Sequence, residues 1–111
     1  MTGAAKAKGD RAERECADLL TDLTGFTVRR MLGAGRTDDV GDLDGIPRTV
    51  VQVANWSDVL RAIREKPIAA EQQRLNAQAD HAVTLLRLWG GDFRAVLTPE
   101  QWAHTITEAL R

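Results

Sequence analysis

The sequence predicts an α/β protein of the α+β kind that folds as a single domain over residues 1–111. Two kinds of segment predict this class. Runs with apolar residues every three or four positions are typical of helices, and shorter runs rich in valine, leucine or phenylalanine are typical of strands. With 111 residues, 43% of them apolar and 28% charged, the chain is long enough for one hydrophobic core and too short for two. We expect about five strands flanked by helices.

The N-terminal segment predicts an arm followed by a helix. Residues 1–8 carry Lys6 and Lys8 among small residues without apolar periodicity, which indicates a mobile basic arm. A helix is expected over about residues 10–24, and Gly25 is well placed to end it in a left-handed conformation. The apolar face of this helix is formed by Ala12, Cys16, Leu19, Leu20 and Leu23.

The next segment contains three strand-like runs separated by a loop and a turn. Residues 26–32 predict the first strand, and the glycines and short polar residues of 33–39 predict a loop. Residues 42–45 predict a short strand or sheet edge, 45–48 a turn, and 49–55 a buried strand. The last two strands are expected to form a hairpin.

A kinked helical arm is expected after this hairpin. Ser57 is a suitable cap for a helix that ends at about residue 65. Pro67 interrupts the apolar pattern at a position that could open a second helix, which continues to about residue 80. The sequence therefore predicts two helical pieces here.

The C-terminal segment predicts a second hairpin and a last helix. Strands are expected over residues 82–88 and 93–97, because Gly90 and Gly91 between them suit a two-residue turn. Residues 98–101 form a capping box with proline at the first helical position, which predicts a helix that ends at about residue 110.

The composition excludes several classes of protein. Cys16 is the single cysteine, so no internal disulfide forms, and no cysteine or histidine spacing predicts a zinc site. No run approaches the roughly 20 apolar residues of a membrane span, and the first residues lack the apolar segment of a signal peptide. We therefore expect a soluble protein of a reducing cytoplasm. The net charge of -1 argues against a general polyanion binder, although the basic residues are unevenly distributed.

The most informative stretch couples an acidic residue to the buried strand. Alternate side chains of a strand point to opposite faces, so Gln52 and Ala54 project together beside Asp42, while Val51 and Val53 turn into the core. A glutamine amide buried without partners costs about 1 to 3 kcal/mol, and a ligand role would offset that cost. The alternative is that Asp42 is a turn residue like its acidic neighbours.

Three segments resemble the PD-(D/E)XK nuclease superfamily, and within it the small resolvases that cut four-way Holliday junctions in bacteria, archaea and phages. Residues 8–15 are similar to the first helix of these resolvases, in which a glutamate at the position of Glu13 faces the site. Residues 33–37 occupy the place of the family's small-residue, hydroxyl-bearing loop. Asp42 is followed by residues 52–54 at the family's usual separation.

The resemblance implies a restriction-endonuclease-like core with a mixed sheet, and a homodimeric DNA endonuclease that uses Mg²⁺, for which Mn²⁺ can substitute. The implied metal ligands are Asp42, Gln52, the backbone carbonyl of Val53, and Glu13 directly or through water. The implied catalytic positions are Glu13, Asp42 and Gln52, with Ala54 at the position of a lysine. Most members have glutamate in place of Gln52, but glutamine is similar to the Mrr-like branch.

The resemblance covers roughly residues 8–97, with the helical arm matching least, and it departs from the family at Ala54. The family's lysine lies beside the attacking water, and losing such a group costs a factor of roughly 10² to 10⁴ in rate. Either Ala54 is natural and the chain is a decayed nuclease that keeps DNA binding, or a lysine was replaced deliberately to inactivate the protein. We favour deliberate replacement because the residues around the gap are intact.

DNA contacts are expected from basic residues near the first helix, before the acidic hairpin and on the helical arm. No motif for reading base edges accompanies them, so binding is expected to depend on DNA shape and to weaken with salt. The alternative is that these charges form a solvated surface. The expected contacts are Lys6, Lys8, Arg11, Arg14, Arg29, Arg30, Arg36, Thr37, Arg61 and Arg64.

The leading hypothesis is a metal-dependent endonuclease that resolves Holliday junctions in recombination and repair, in a bacterial or archaeal cell or a phage-infected host, and that is catalytically impaired as written. One alternative is a restriction-like or repair nuclease of the same superfamily that acts on linear duplex DNA. Another is a naturally inactive nuclease-fold protein that binds DNA or a partner. His81 and His104 are expected to be isolated structural histidines, and Trp89 and Trp102 to be core or dimer contacts.

Overall fold

The computed structural model describes residues 3–31 and 39–111. In this part of the chain three helices flank one mixed sheet of five strands, so the predicted α+β class is confirmed. The elements, in chain order, are α1 (Gly3–Thr24), β1 (Arg29–Arg30), β2 (Leu43–Asp44), β3 (Thr49–Ala54), α2 (Val59–Ala77), β4 (His81–Arg87), β5 (Phe93–Val96) and α3 (Pro99–Ala109).

The strands stand in the sheet in the order of the chain, from β1 at one edge to β5 at the other. The pairs β1/β2, β2/β3 and β4/β5 are antiparallel. The strands β3 and β4 are parallel, in a register that places Gln52 beside Thr84. Because a parallel pair needs a long crossover, α2 connects these two strands and packs against both of them.

Different helices cover the two faces of the sheet at β3. On one face Val53 belongs to a buried cluster with Cys16 of α1. On the other face Ala54 belongs to a buried cluster with Ala62 of α2. This alternation follows from the pleat of the strand, which turns successive side chains to opposite faces. The end of β3 therefore lies between α1 and α2.

The first helix begins at Gly3 rather than near residue 10. The alanines of its first turns have high helix propensity, and Lys6 Nζ lies 2.9 Å from Asp10 Oδ2 one turn further on. Residues 3–8, which were expected to precede the helix as a mobile basic arm, therefore belong to it, and Lys6 and Lys8 lie on a helix. The first two residues of the chain lie outside the described part.

The expected kinked arm of two helices is wrong, because α2 is one continuous helix over Val59–Ala77. Its cap is Asp58 rather than Ser57, and the Asp58 carboxylate accepts a hydrogen bond from the Arg61 N–H at 3.0 Å. Pro67 is buried inside the helix. Proline removes one backbone hydrogen bond, but apolar contacts with the sheet on both sides of it hold the helix together.

The other strand boundaries agree with the predictions to within about a residue, except at β1. This strand spans Arg29–Arg30 instead of residues 26–32, and Phe26 is exposed before it. Leu32 and residues 33–38 of the predicted loop lie outside the described residues.

Two cap predictions are confirmed, and the prediction for the connection of β4 and β5 is confirmed in part. Gly25 ends α1 with a φ of +81°, in the left-handed region that favours glycine. The predicted hairpin of β4 and β5 is confirmed, but its connection is not a two-residue turn of Gly90 and Gly91. The Gly91 N–H donates to the Leu88 carbonyl at 3.1 Å, so Trp89 and Gly90 are the central residues of the turn, and the Leu88 N–H donates to the Asp92 carbonyl at 2.6 Å. At the start of α3, Thr98 Oγ1 accepts from the Gln101 N–H at 3.1 Å and the Thr98 N–H donates to Gln101 Oε1 at 2.9 Å, which is a complete capping box.

Candidate active site

An open cleft of about 700 Å³ lies between α1 and α2, beside the start of β2 and the end of β3. Glu13, Asp42, Gln52 and Val53 come from three separate segments of the chain, and all of them line this cleft. The structure thus brings together the residues that the sequence predicts as metal ligands. Their roles stay predictions.

The backbone around Asp42 holds it at the edge of the cleft. Gly41 has a φ of +102°, and a Cβ at this position would lie 2.9 Å from Val50 Cγ1, so glycine lets the chain approach β3 closely. The Asp42 N–H donates to the Val51 carbonyl at 2.9 Å, and Asp42 Oδ2 accepts from the Val53 N–H at 2.8 Å. These contacts fix one carboxylate oxygen, and the other has no hydrogen bond from the described residues.

The environment of Asp42 disfavours its charged form. Burial is the largest cause, and it raises the pKa of Asp42 from 3.8 to about 6, with further contributions from the negative charges of Glu13 and Asp39. The Val53 N–H and the positive charge of Lys66 act in the opposite direction and lower this pKa. The ionised carboxylate is therefore held at a cost, which a bound cation would offset.

Gln52 carries a buried oxygen that lacks a partner. Its side chain is 4% exposed, and Oε1 accepts no hydrogen bond from the described residues. Gln73 and Thr84 have such oxygens too, but neither of these two residues lines the cleft. Leaving a buried amide oxygen without a partner costs about 1 to 3 kcal/mol, so a ligand at this point would stabilise the protein.

The backbone of Val53 offers a third oxygen. The N–H and C=O of one strand residue point to the same edge, so the Val53 carbonyl faces the side on which its N–H meets Asp42. Along this edge β2 begins at Leu43, which pairs with Val51. Carboxylate, amide and carbonyl oxygens are the hard donors that Mg²⁺ prefers, so the donor set fits this ion.

Glu13 lies in the cleft within a network of ion pairs. Its Oε1 accepts from Arg30 Nε at 3.1 Å, and Arg30 Nη2 donates to Asp10 Oδ1 at 2.7 Å. Lys6 donates to the second oxygen of Asp10 at 2.9 Å, and this hydrogen bond is the largest cause that lowers the pKa of Asp10. Arg30, a predicted DNA contact, thus holds the two acidic side chains of α1 at the cleft.

The predicted DNA contacts divide into several groups. Lys6, Lys8 and Arg61 line the cleft, where their charges would attract a phosphate backbone. Arg36 and Thr37 lie outside the described residues. The contacts that are exposed elsewhere on the surface are Arg11, Arg14, Arg29 and Arg64.

Ala54 occupies a different environment from that of Gln52. The two side chains share a face of β3, as predicted, but Ala54 is 2% exposed and packs in a buried cluster with Ala62 and Leu86. It does not line the cleft. The position to which the resemblance assigns a lysine is therefore part of the core beneath α2.

Lys66 is a residue of the cleft that our sequence analysis did not identify. It is half-buried on α2, lines the cleft together with Asp42, and its Nζ lies 4.9 Å from the centre of a Trp56 ring. The signal in the sequence is helical spacing, because Lys66 follows Ala62 by four residues and precedes Ala70 by four. A lysine on this apolar stripe must extend its ammonium group away from the core.

A second group of ionisable side chains lies at α3. Ligand atoms of His81, His104 and Glu108 lie within 4.8 Å of one another, so the two histidines are not isolated as expected. Glu108 is paired with both His81 Nε2, at 2.8 Å, and Arg48 Nη2, at 2.7 Å. The spacing of four residues between His104 and Glu108 is the sequence signal. This group connects α3 to the start of β4. It is not evidence for a Mg²⁺ site.

Comparisons with models of protein families, with curated proteins and with solved structures found no match to this chain. Among the described residues, no helix is both long enough and apolar enough to span a membrane.

Proposed function

We propose that this chain is a Mg²⁺-dependent DNA endonuclease of the PD-(D/E)XK kind that resolves branched DNA. The observation that carries the proposal is the convergence of Glu13, Asp42 and Gln52 on one cleft, together with a buried Gln52 oxygen that has no partner among the described residues. Structural ion pairs satisfy their buried groups, whereas this set leaves donors for a cation.

The arrangement of the sheet supports a restriction-endonuclease-like core within this proposal. Of three antiparallel strands, the third carries Gln52 and the second directly follows Asp42, and a crossover helix then leads to a parallel fourth strand. The preceding helix α1 supplies Glu13 from the face opposite to α2. A nuclease of this class needs acidic groups from these same places to meet at one end of the sheet.

The proposed chemistry is hydrolysis of a phosphodiester bond. When bound, the metal ion would offset the negative charge of the phosphate and lower the pKa of an attacking water. Asp42, Gln52 and the Val53 carbonyl would hold the ion, and Glu13 would approach it from α1, directly or through water. Lys6, Lys8 and Arg61 at the edge of the cleft would attract the DNA backbone.

A branched substrate and a homodimer belong to the same proposal. Paired cuts on opposed strands of a junction need two sites, which two copies of the chain would supply. Large exposed apolar side chains, among them Leu60, Ile68 and Trp89, offer area for contact between copies. The mass of the protein in solution, measured by light scattering with and without junction DNA, tests the dimer.

Two alternatives each have an observation in their favour. Gln52 in place of glutamate favours a restriction-like or repair nuclease of the same superfamily, which would prefer linear duplex DNA. The buried position of Ala54 favours a naturally inactive protein that keeps the fold and binds DNA or a partner, since a methyl group supplies no cation to the cleft. On that alternative the ion pair of Glu13 with Arg30 is structural.

The test is cleavage of a labelled four-way junction and of a linear duplex with the same arm sequences, by the unchanged chain and by Ala54→Lys. Mg²⁺ or Mn²⁺ starts the reaction, chelation stops it, and Ca²⁺ replaces both ions when binding alone is measured. We expect at least one of the two forms to cut the junction in preference to the duplex, and chelation to stop this cutting.

Other results would select an alternative. Equal or better cutting of the duplex would support the restriction-like enzyme. Tight binding of DNA without cutting by either form would support the inactive nuclease fold, and failure of both forms to bind DNA or a divalent ion would remove the proposal altogether.

A further inference from the structure

We infer that Lys66 of α2 is a catalytic residue that supplies the positive charge which position 54 of β3 cannot bring to the cleft. The inference rests on the proposed nuclease function. It assigns the cation of the site to a helix instead of a strand, and it predicts that the chain is active as written.

The environment of Ala54 is the first support. Its side chain lies in the buried cluster with Ala62 and Leu86, and partly buried Trp56 and Val59 close over this cluster. A lysine there would force three extra carbon atoms and a charged nitrogen into packed apolar surroundings, which cores tolerate poorly. The alanine therefore fits its surroundings, and a cation for the proposed site would come from another element.

The position of Lys66 is the second support. It stands on the stripe of α2 that faces the sheet, between the buried Ala62 and Ala70, and it lines the cleft with Asp42 and Gln52. Such a lysine covers apolar surface with its stem and places its ammonium group at the boundary of the core. That boundary is the wall of the cleft.

The availability of the Lys66 charge is the third support. Lys6 is paired with Asp10, and Arg61 with Glu65. Among the described residues no ion pair includes Lys66, which instead lies over the Trp56 ring at 4.9 Å. Lys8 is also outside these pairs, but it is exposed on α1, whereas Lys66 is half-buried. The aromatic ring limits the positions of the ammonium group without neutralising it.

The proposed role is electrostatic. The Lys66 ammonium group would donate a hydrogen bond to a non-bridging oxygen of the phosphate on which negative charge accumulates in the transition state. No proton is transferred in this role, so the group keeps its charge throughout. Trp56 would act as a positioning residue for it.

The test is the rate of junction cleavage at saturating DNA with Mg²⁺, measured for the unchanged chain, Lys66→Ala and Lys66→Arg. Arg94→Ala is the control, because it removes an exposed cation from β5, which does not contribute to the cleft. Thermal unfolding of each variant and its affinity for the junction in Ca²⁺ are measured alongside.

We expect Lys66→Ala to lower the cleavage rate by about 10² to 10³, while the affinity for the junction falls by less than about tenfold, because the interaction is made chiefly in the transition state. Lys66→Arg keeps the charge and should retain most of the rate. Arg94→Ala should cut as fast as the unchanged chain. A residue that only stabilised the fold would instead change thermal unfolding and show no such rescue by arginine.

Three results would overturn the inference, and they separate its failure from that of the proposed function. Cutting by Lys66→Ala at the rate of the unchanged chain would overturn the inference alone. Cutting by Ala54→Lys but not by the unchanged chain would also overturn it and leave the nuclease function in place. Failure of both forms to cut would overturn the inference together with the nuclease activity on which it rests.

Discussion

The molecule collects ionisable side chains in two places, and the two groups differ in how their charges are balanced. At α3, Glu108 is paired with both Arg48 and His81. In the cleft between α1 and α2, Asp42 is held with its pKa raised to about 6, and the Gln52 amide oxygen has no partner among the described residues. The Glu108 carboxylate is satisfied by the protein alone, and the Gln52 amide oxygen is not.

This difference separates a structural network from a candidate site. The ion pair of Glu108 with Arg48 is exposed, and pairs of this kind contribute little to stability individually. A buried carboxylate beside an unpartnered oxygen costs stability, and proteins keep such costs where a ligand or a reaction needs the groups. Variants of one group that leave the other group unchanged therefore test whether the two groups differ in function.

The largest effect is expected from Asp42→Asn, which keeps the shape of the side chain and removes its charge. Because Asp42 is the anchor of the proposed metal shell, cleavage of the junction should fall by about 10³ or more. Glu108→Gln removes a carboxylate from the other group and serves as the matched control, with unchanged cleavage. Equal loss of activity in both variants would show that the cleft has no special role.

The second prediction concerns the stability of the metal-free protein as the pH changes. A raised pKa means that the folded protein binds the Asp42 proton more tightly than the unfolded chain does, so this stabilisation is present below about pH 4 and is lost as the pH rises through about 6. Between about pH 4.5 and 7.5 the Asp42→Asn variant should gain about 1 to 3 kcal/mol relative to the unchanged chain.

Urea unfolding of both proteins at the two pH values, in the presence of chelator, measures this difference. Taking the difference between the proteins cancels the acidic groups whose pKa is lowered, such as Glu71, because they are present in both. If the stability of the two proteins changes in parallel with pH, the surroundings of Asp42 do not destabilise its charged form, and the prediction is wrong.

The third prediction sharpens the role of Gln52. Gln52→Glu should raise the affinity for Mn²⁺ about tenfold, because it adds a charge to the proposed donor set, and it should destabilise the metal-free protein, because a second carboxylate joins Asp42. Gln73→Glu is the control, since Gln73 is also buried with an unpartnered oxygen but does not line the cleft. The Mn²⁺ affinity of each variant is measured by calorimetric titration. An equal rise of affinity in Gln52→Glu and Gln73→Glu would contradict the proposed role of Gln52.

The smallest effect is expected at α3. Glu108→Gln removes the partner of Arg48 and His81, but these side chains are exposed or have other contacts, so the Tm should change by no more than about 3 °C. Differential scanning calorimetry at neutral pH checks this. A large loss of stability would mean that the α3 group is a core feature rather than a surface network.

Elements with strong local signals were predictable from the sequence. The capping box at Thr98 and the left-handed glycine at Gly25 depend on a few neighbouring residues, and both are confirmed. Pro67 gave a strong local signal that was wrong, because packing of α2 on the sheet on both sides outweighs the single hydrogen bond that proline removes. The prediction missed the early start of α1 because it relied on apolar periodicity. The alanines of the first turns favour a helix but do not form a periodic apolar pattern.

The candidate site was predictable in part. Strand alternation and the family resemblance placed Asp42 and Gln52 together, and the cleft contains both. The surroundings of Ala54 and Lys66 depend on which face of β3 lies under α2, which no local pattern specifies. Our sequence-based preference for a deliberate replacement of lysine at position 54 stays a prediction, and the close packing of Ala54 favours a native alanine. The proximity of His81 to His104 likewise depends on the tertiary fold.

The most direct test of the proposed metal site is a calorimetric titration of Mn²⁺ into three proteins, which are the unchanged chain, Asp42→Asn and Glu108→Gln. We expect the unchanged chain and Glu108→Gln to bind the ion alike, and Asp42→Asn to lose this binding. Binding that survives in Asp42→Asn, or that is lost in Glu108→Gln instead, would contradict the claim that the cleft between α1 and α2 is the metal site.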